Sequence, residues 1–124
     1  MLQSKLFKSN KRLNDCATSD PAHVRPGDKG DHVKLIQVAL QWFSPVKIDQ
    51  GELSAGFYGK ATANSVLHYK RSRNIVNHAY QNVADDIVGK MTIKTLDDEV
   101  VEEQENGSSN LASGGLRPII GRII

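Results

Sequence analysis

Apolar residues recur with a helical period in three stretches of this chain. From Asp31 to Phe43, the positions Val33, Ile36, Leu40 and Phe43 advance by three, four and three, which sets four apolar side chains on one stripe of a helix. From Lys60 to Asn74, the positions Thr62, Val66, Tyr69 and Arg73 advance by four, three and four; the first three predict an inward face and the arginine stem a cover for its edge. A third helix is predicted from Lys90 into an acidic run, with Ile93, Leu96 and Val100 as its stripe. Turn chemistry supplies the boundaries. Pro26 and Gly27 predict a tight turn, because proline presets φ and glycine accepts the positive φ that other residues resist. Asp28 or Asp31 is the expected cap of the first helix, and the Ser44-Pro45 pair ends it.

The remainder lacks that period. VKIDQGELSAGFYG alternates weakly and holds three glycines, which predicts a loop or a short irregular hairpin. Residues 75 to 87 read as a connection ending in ADDI. Residues 1–22 scatter Leu2, Leu6, Phe7 and Leu13 irregularly and are expected as a partly disordered N-terminal arm. Residues 106–124 open with NGSSNLASGG, of flexible-linker composition, and close with the apolar tail LRPIIGRII, which either docks on the core or holds a partner. The expectation is a mainly α fold: a three-helix domain over 23–105 with short extended connections and flexible termini.

With 124 residues the chain suits one domain. A formal charge of +2 gives no argument for nucleic acid. The charges are uneven: Lys5, Lys8, Lys11 and Arg12 precede the first acidic residue, whereas Asp97, Asp98, Glu99, Glu102, Glu103 and Glu105 crowd together. Both groups are read as solvated surface. Cys16 is the only cysteine, which excludes an internal disulfide and a zinc site built on several thiolates. His23, His32, His68 and His78 form no HExxH pair, so neither metal nor cofactor is expected. No apolar run reaches the roughly twenty residues of a membrane span. The N-terminus has no continuous apolar signal region; cytoplasmic synthesis is expected, with export, if any, by a non-classical, phage or contractile-secretion route. Ser44 and Lys47 have SxxK spacing, but Pro45 interrupts it, and Cys16 has no histidine in a local signature, so no enzyme is expected.

Two segments echo each other. YGKATANSV from Tyr58 and VGKMTIKTL from Val88 share Gly, Lys and Thr in register and close on an apolar residue. Each predicts a sharp glycine approach, a helix starting after it, and a threonine in the first turn able to satisfy free backbone groups. Together with the first helix, these segments resemble the motifs of the peptidoglycan-binding domain family. Gly27, Gly30, Val33, Ile36, Gln37 and Leu40 match its first motif; Gly56, Tyr58, Gly59, Thr62, Val66 and Tyr69 match its second; Asp85, Val88, Gly89, Thr92 and Leu96 match its third. Ala55, Ser65, Lys70 and Asp86 depart from it, standing where the family has aspartate, alanine, glutamine and glycine.

The resemblance implies a small three-helix module that binds bacterial cell wall without catalysis and targets an associated partner to it. A groove for sugar rings and stem peptides would draw on rings, amides and cations, and the candidate ligand-binding residues are Gln37, Tyr58, Asn64, Tyr69, Lys70 and Arg73. Each has a plainer reading: the tyrosines as packing residues, Gln37 as a bond to the adjoining loop, and Lys70, Arg71 and Arg73 as a solvated face. Trp42 is expected to be buried, the alternative being an exposed ring that stacks on a sugar. The other functional class is an adaptor that keeps the fold without glycan binding and holds a protein partner through its N-terminal arm or C-terminal tail.

Overall fold

A computed structural model describes residues 1–76 and 84–112, the side chains of 106–112 excepted. Among the described residues there are five α-helices: α1 Lys11–Cys16, α2 Asp31–Phe43, α3 Gln50–Ala55, α4 Lys60–Ser72 and α5 Lys90–Ala112. A 3-10 turn at Asp20–Ala22 follows α1. The fold is mainly helical, with extended pairing among the described residues confined to two isolated antiparallel bridges.

Helices α2, α4 and α5 begin where periodicity predicts, and their stripes face inward. Val33, Ile36 and Leu40 of α2, Thr62, Val66 and Tyr69 of α4, and Ile93, Leu96 and Val100 of α5 are all buried. Burying each large apolar side chain contributes about 1.5–3 kcal/mol, so the three stripes together drive the packing of α2 against α4 and of α5 beneath α1.

Backbone 24–30 links the two echo segments. The Gly27 amide donates to Tyr58 O at 2.9 Å, Tyr58 N to Asp28 O at 2.9 Å and Gly30 N to Gly56 O at 3.0 Å. Val24 and Val88 exchange bonds of 3.0 and 2.8 Å. One extended segment therefore sets the register of the starts of both α4 and α5. The Pro26-Gly27 turn feeds it, with Gly27 at φ 100 and Asp28 N bonded to Arg25 O at 3.0 Å.

Several expectations are corrected. Neither Asp28 nor Asp31 caps α2: Gly30 holds the cap position at φ 139, and the Asp28 carboxylate instead accepts from Arg25 N at 3.0 Å and faces Arg12 at 3.5 Å. The expected loop or hairpin after α2 contains α3, a helix too short to leave a periodic signal, ended by Gly56 in the left-handed region at φ 64. Trp42 is 49% exposed, because it lies two positions beyond Leu40 and so on the opposite side of α2, where Phe43 continues the stripe.

The first 22 residues are packed rather than frayed. Leu2, Phe7, Leu13 and Cys16 belong to the core, and Asp97 of α5, itself buried, accepts from the amides of Gln3 and Ser4 at 2.8 Å each. Asp97 is thus an anchor and not part of a solvated acidic face. Arg12, still partly exposed, bonds Ala22 O and His23 O at 3.3 and 3.1 Å. Helix α5 continues through Ala112, so 106–112 is helical where linker was expected. The expectations for the tail LRPIIGRII lie outside the described residues.

Candidate functional site

The two echo segments start their helices with one device. In the first, Gln37 of α2 reaches over: its Nε2 donates to Phe57 O at 3.0 Å and to Thr62 Oγ1 at 2.9 Å. Gly59 is bare because a Cβ there would lie 2.6 Å from the Glu52 carboxyl group. Glu52, carried by α3, closes the helix start, accepting from Gly59 N at 3.1 Å, Ala61 N at 2.9 Å, Thr62 N at 2.8 Å and Thr62 Oγ1 at 2.7 Å. Burial opposes the Glu52 charge, but these hydrogen bonds prevail and hold its carboxyl below the usual range.

In the second segment Lys70 of α4 takes the role of Gln37. Its ammonium donates to Ile87 O at 2.8 Å, and Ile87 precedes Gly89 as Phe57 precedes Gly59. The same ammonium pairs with Asp85, whose carboxylate also accepts from Ile87 N at 3.1 Å. Among the described residues no carboxylate stands here in the place of Glu52. The ring of His23 does, 3.1 Å from where a Gly89 Cβ would be. Beside it opens a cleft of about 390 Å³, lined by Asp20, His23, Lys70, Asp85 and the α5 start from Gly89 to Thr92. His23 Nε2 is buried without a hydrogen-bond partner; Asp20 Oδ1 lies 3.4 Å away, near enough for ion pairing but not in bonding geometry. Lys90 approaches the same Asp20 oxygen at 3.3 Å.

Of the sequence-level candidates, only Lys70 lines this cleft. Gln37 is a buried clamp between helices. Tyr58 is buried and donates its hydroxyl to Asp86 O, and burial first, then the nearby carboxylates, pushes its phenol far above the ordinary range. Tyr69 is buried beneath Arg73, whose guanidinium carbon sits 4.4 Å from the ring centroid. Arg73 spends its fork on Glu99 at 2.9 and 2.6 Å, so it is no solvated cation. Asn64 is exposed on α4, away from the cleft lining. Sequence reasoning missed Glu52, His23 and Asp20 as members of these helix starts. The signal open to it was the echo itself, which demands a partner for each bare glycine.

Outside the cleft, Val38 and Trp42 are exposed on adjacent turns of α2, and Phe57 is 40% exposed. Cys16 is buried, donates to Val88 O at 3.4 Å, and burial pushes its thiol up to about 11. Among the described residues no group of three His, Cys, Asp or Glu gathers to hold a metal, and no helix is long and apolar enough to cross a membrane. Comparison with models of protein families, with curated proteins and with solved structures gives no match.

Proposed function

We propose that this chain binds bacterial peptidoglycan without cleaving it and targets an associated partner to the cell wall. The observation that carries the reading is the repeated helix start: a clamp from an earlier helix, a bare glycine and a first-turn threonine at both motif-like segments. It supports a peptidoglycan-binding-like arrangement of α2, α4 and α5, in which the motif-matching residues serve the scaffold and the open cleft at α5 serves as the groove. The cleft offers two ammonium groups, two carboxylates and an imidazole, a set suited to the charged ends of stem peptides. Contacts of this kind give modest affinity, on the order of micromolar to millimolar.

The test is co-sedimentation of the purified chain with insoluble sacculi. The wild type is retained, and a His23→Ala/Lys90→Ala double variant, folded by circular dichroism, is retained less. Failure of the wild type to sediment with sacculi would overturn the reading. A second reading, an adaptor that holds a protein, draws on the exposed Val38 and Trp42 pair. A complex with a wall hydrolase that the full chain forms and Trp42→Ala loses, in the absence of sacculus retention, would put it in first place.

A further inference from the structure

We propose that Arg12, His32 and Asp28 form a pH-sensitive latch, which frees the cleft wall carried by Asp20 and His23 when the His32 ring takes a proton. Arg12 is the hub. From α1 its guanidinium reaches four acceptors: Nε donates to Ala22 O at 3.3 Å, Nη2 to His23 O at 3.1 Å and to Asp28 Oδ2 at 3.5 Å, and Nη1 meets His32 Nε2 at 3.4 Å. A guanidinium only donates, so the last contact requires a bare Nε2 and hence the neutral ring protonated at Nδ1. A proton on Nε2 removes that acceptor and sets two cations face to face. The contact then repels.

The His32 ring is seated against backbone. It lies over Gly30, whose added Cβ would be 3.1 Å from both Cε1 and Nδ1, and Gly30 is the cap residue of α2 at φ 139. Arg12 is the freer partner, with its side chain 39% exposed. The charged groups that act on His32 are Arg12 of α1, Asp28 of the preceding turn and Asp31 of α2 itself. Burial first, then Arg12, favours the neutral ring; together they outweigh the two carboxylates and hold His32 below its ordinary value of about 6.5. The unfolded chain therefore binds the proton first, so the latch is intact above about pH 6.5 and is lost as pH falls through the lower folded value.

What Arg12 releases belongs to the cleft. Ala22 and His23 close the 3-10 turn that begins at Asp20, and both Asp20 and His23 line the cleft, with the His23 ring against Gly89. The flanks stay pinned: Leu13, Cys16 and Val24 are buried, and Val24 keeps its pairing with Val88. Acid therefore loosens residues 20–23 locally and leaves α1 in the core.

This goes beyond the wall-binding reading and does not rest on it, because every readout is taken on the unliganded chain. The test is an NMR titration of the intact chain between about pH 5 and pH 8, following the histidine rings, the Arg12 Nε resonance and amide hydrogen exchange at Ala22 and His23. His32 is expected to titrate below about 6.5, and the Arg12 Nε resonance to move with the same midpoint. Protection of the Ala22 and His23 amides, which donate to Ser19 O and Asp20 O, is expected to fall about two- to fivefold below that midpoint, the factor for a charge pair at a partly exposed site. His32→Gln keeps an acceptor for Arg12 that does not titrate and is expected to hold the protection constant across the range. It also separates His32 from His23, which lies inside the loosened segment. Arg12→Met is expected to raise the His32 midpoint; should that variant not fold, the wild-type titration and His32→Gln decide. A His32 midpoint at or above about 6.5, an Arg12 resonance that does not follow it, or an acid loss of protection that persists in His32→Gln would overturn the latch.

Discussion

Replacing Glu52 with alanine should destabilise the fold by about 2–4 kcal/mol, although Glu52 belongs to no predicted helix. Its carboxylate serves four donors, the amides of Gly59, Ala61 and Thr62 and the Thr62 hydroxyl, all within 3.1 Å. A hydrogen bond to a charged group contributes about 1.5–3 kcal/mol net, but water can replace it where the donor is accessible. Gly59 and Ala61 are half-buried and recover part of their loss, whereas Thr62 is fully buried and leaves two donors stranded. Urea denaturation at pH 7, read by circular dichroism, measures the difference. Glu52→Gln keeps one carbonyl acceptor and should cost roughly half as much. The pH dependence supplies a second check. The folded-state pKa of Glu52 is depressed, so its contribution is fully present above the unfolded value of about 4.3 and is lost as pH falls through the lower folded value. The gap between wild type and Glu52→Gln should therefore narrow below pH 4. A Glu52→Ala variant within about 0.5 kcal/mol of wild type, or a gap independent of pH, would refute this account of how α4 starts.

Phe7→Ala should cost about 3–5 kcal/mol, as for a buried core aromatic; an unchanged denaturation midpoint would mean that the N-terminal arm is not part of the core. Cys16 should resist iodoacetamide at pH 8 and react only in denaturant, since its thiol is buried and raised to about 11. Labelling of the native protein at the rate of a free thiol would contradict that burial. Arg73→Met should destabilise by about 1–2 kcal/mol, discounted because the ion pair with Glu99 is partly exposed, and should leave sacculus retention unchanged. Lost retention in a folded variant would return Arg73 to the binding surface.

The helices were legible where burial imposes a period. Val33, Ile36 and Leu40, or Ile93, Leu96 and Val100, face one core, and spacing alone reveals that. What was not legible came from contacts between residues far apart in the chain. Asp97 reads as one acid in a run, and only its bonds to Gln3 and Ser4 make it an anchor for an arm whose apolar residues lack any spacing. Glu52 sits in a six-residue helix among glycines, and its use depends on α4 lying across it. For the site, the echo located both helix starts, and Lys70 was named as a candidate, but the tyrosines and Arg73 turn out to be internal structure. A hydroxyl or guanidinium has the same letters in a groove as in a core; what separates them is the partner each finds.

The most direct test of the wall-binding account is a sedimentation isotherm of the intact chain against insoluble sacculi, repeated with soluble wall fragments as competitor. The account predicts saturable retention at micromolar to millimolar concentration, displaced by fragments with free peptide ends and reduced in His23→Ala/Lys90→Ala. Retention that never saturates, or that the fragments fail to displace, would contradict it.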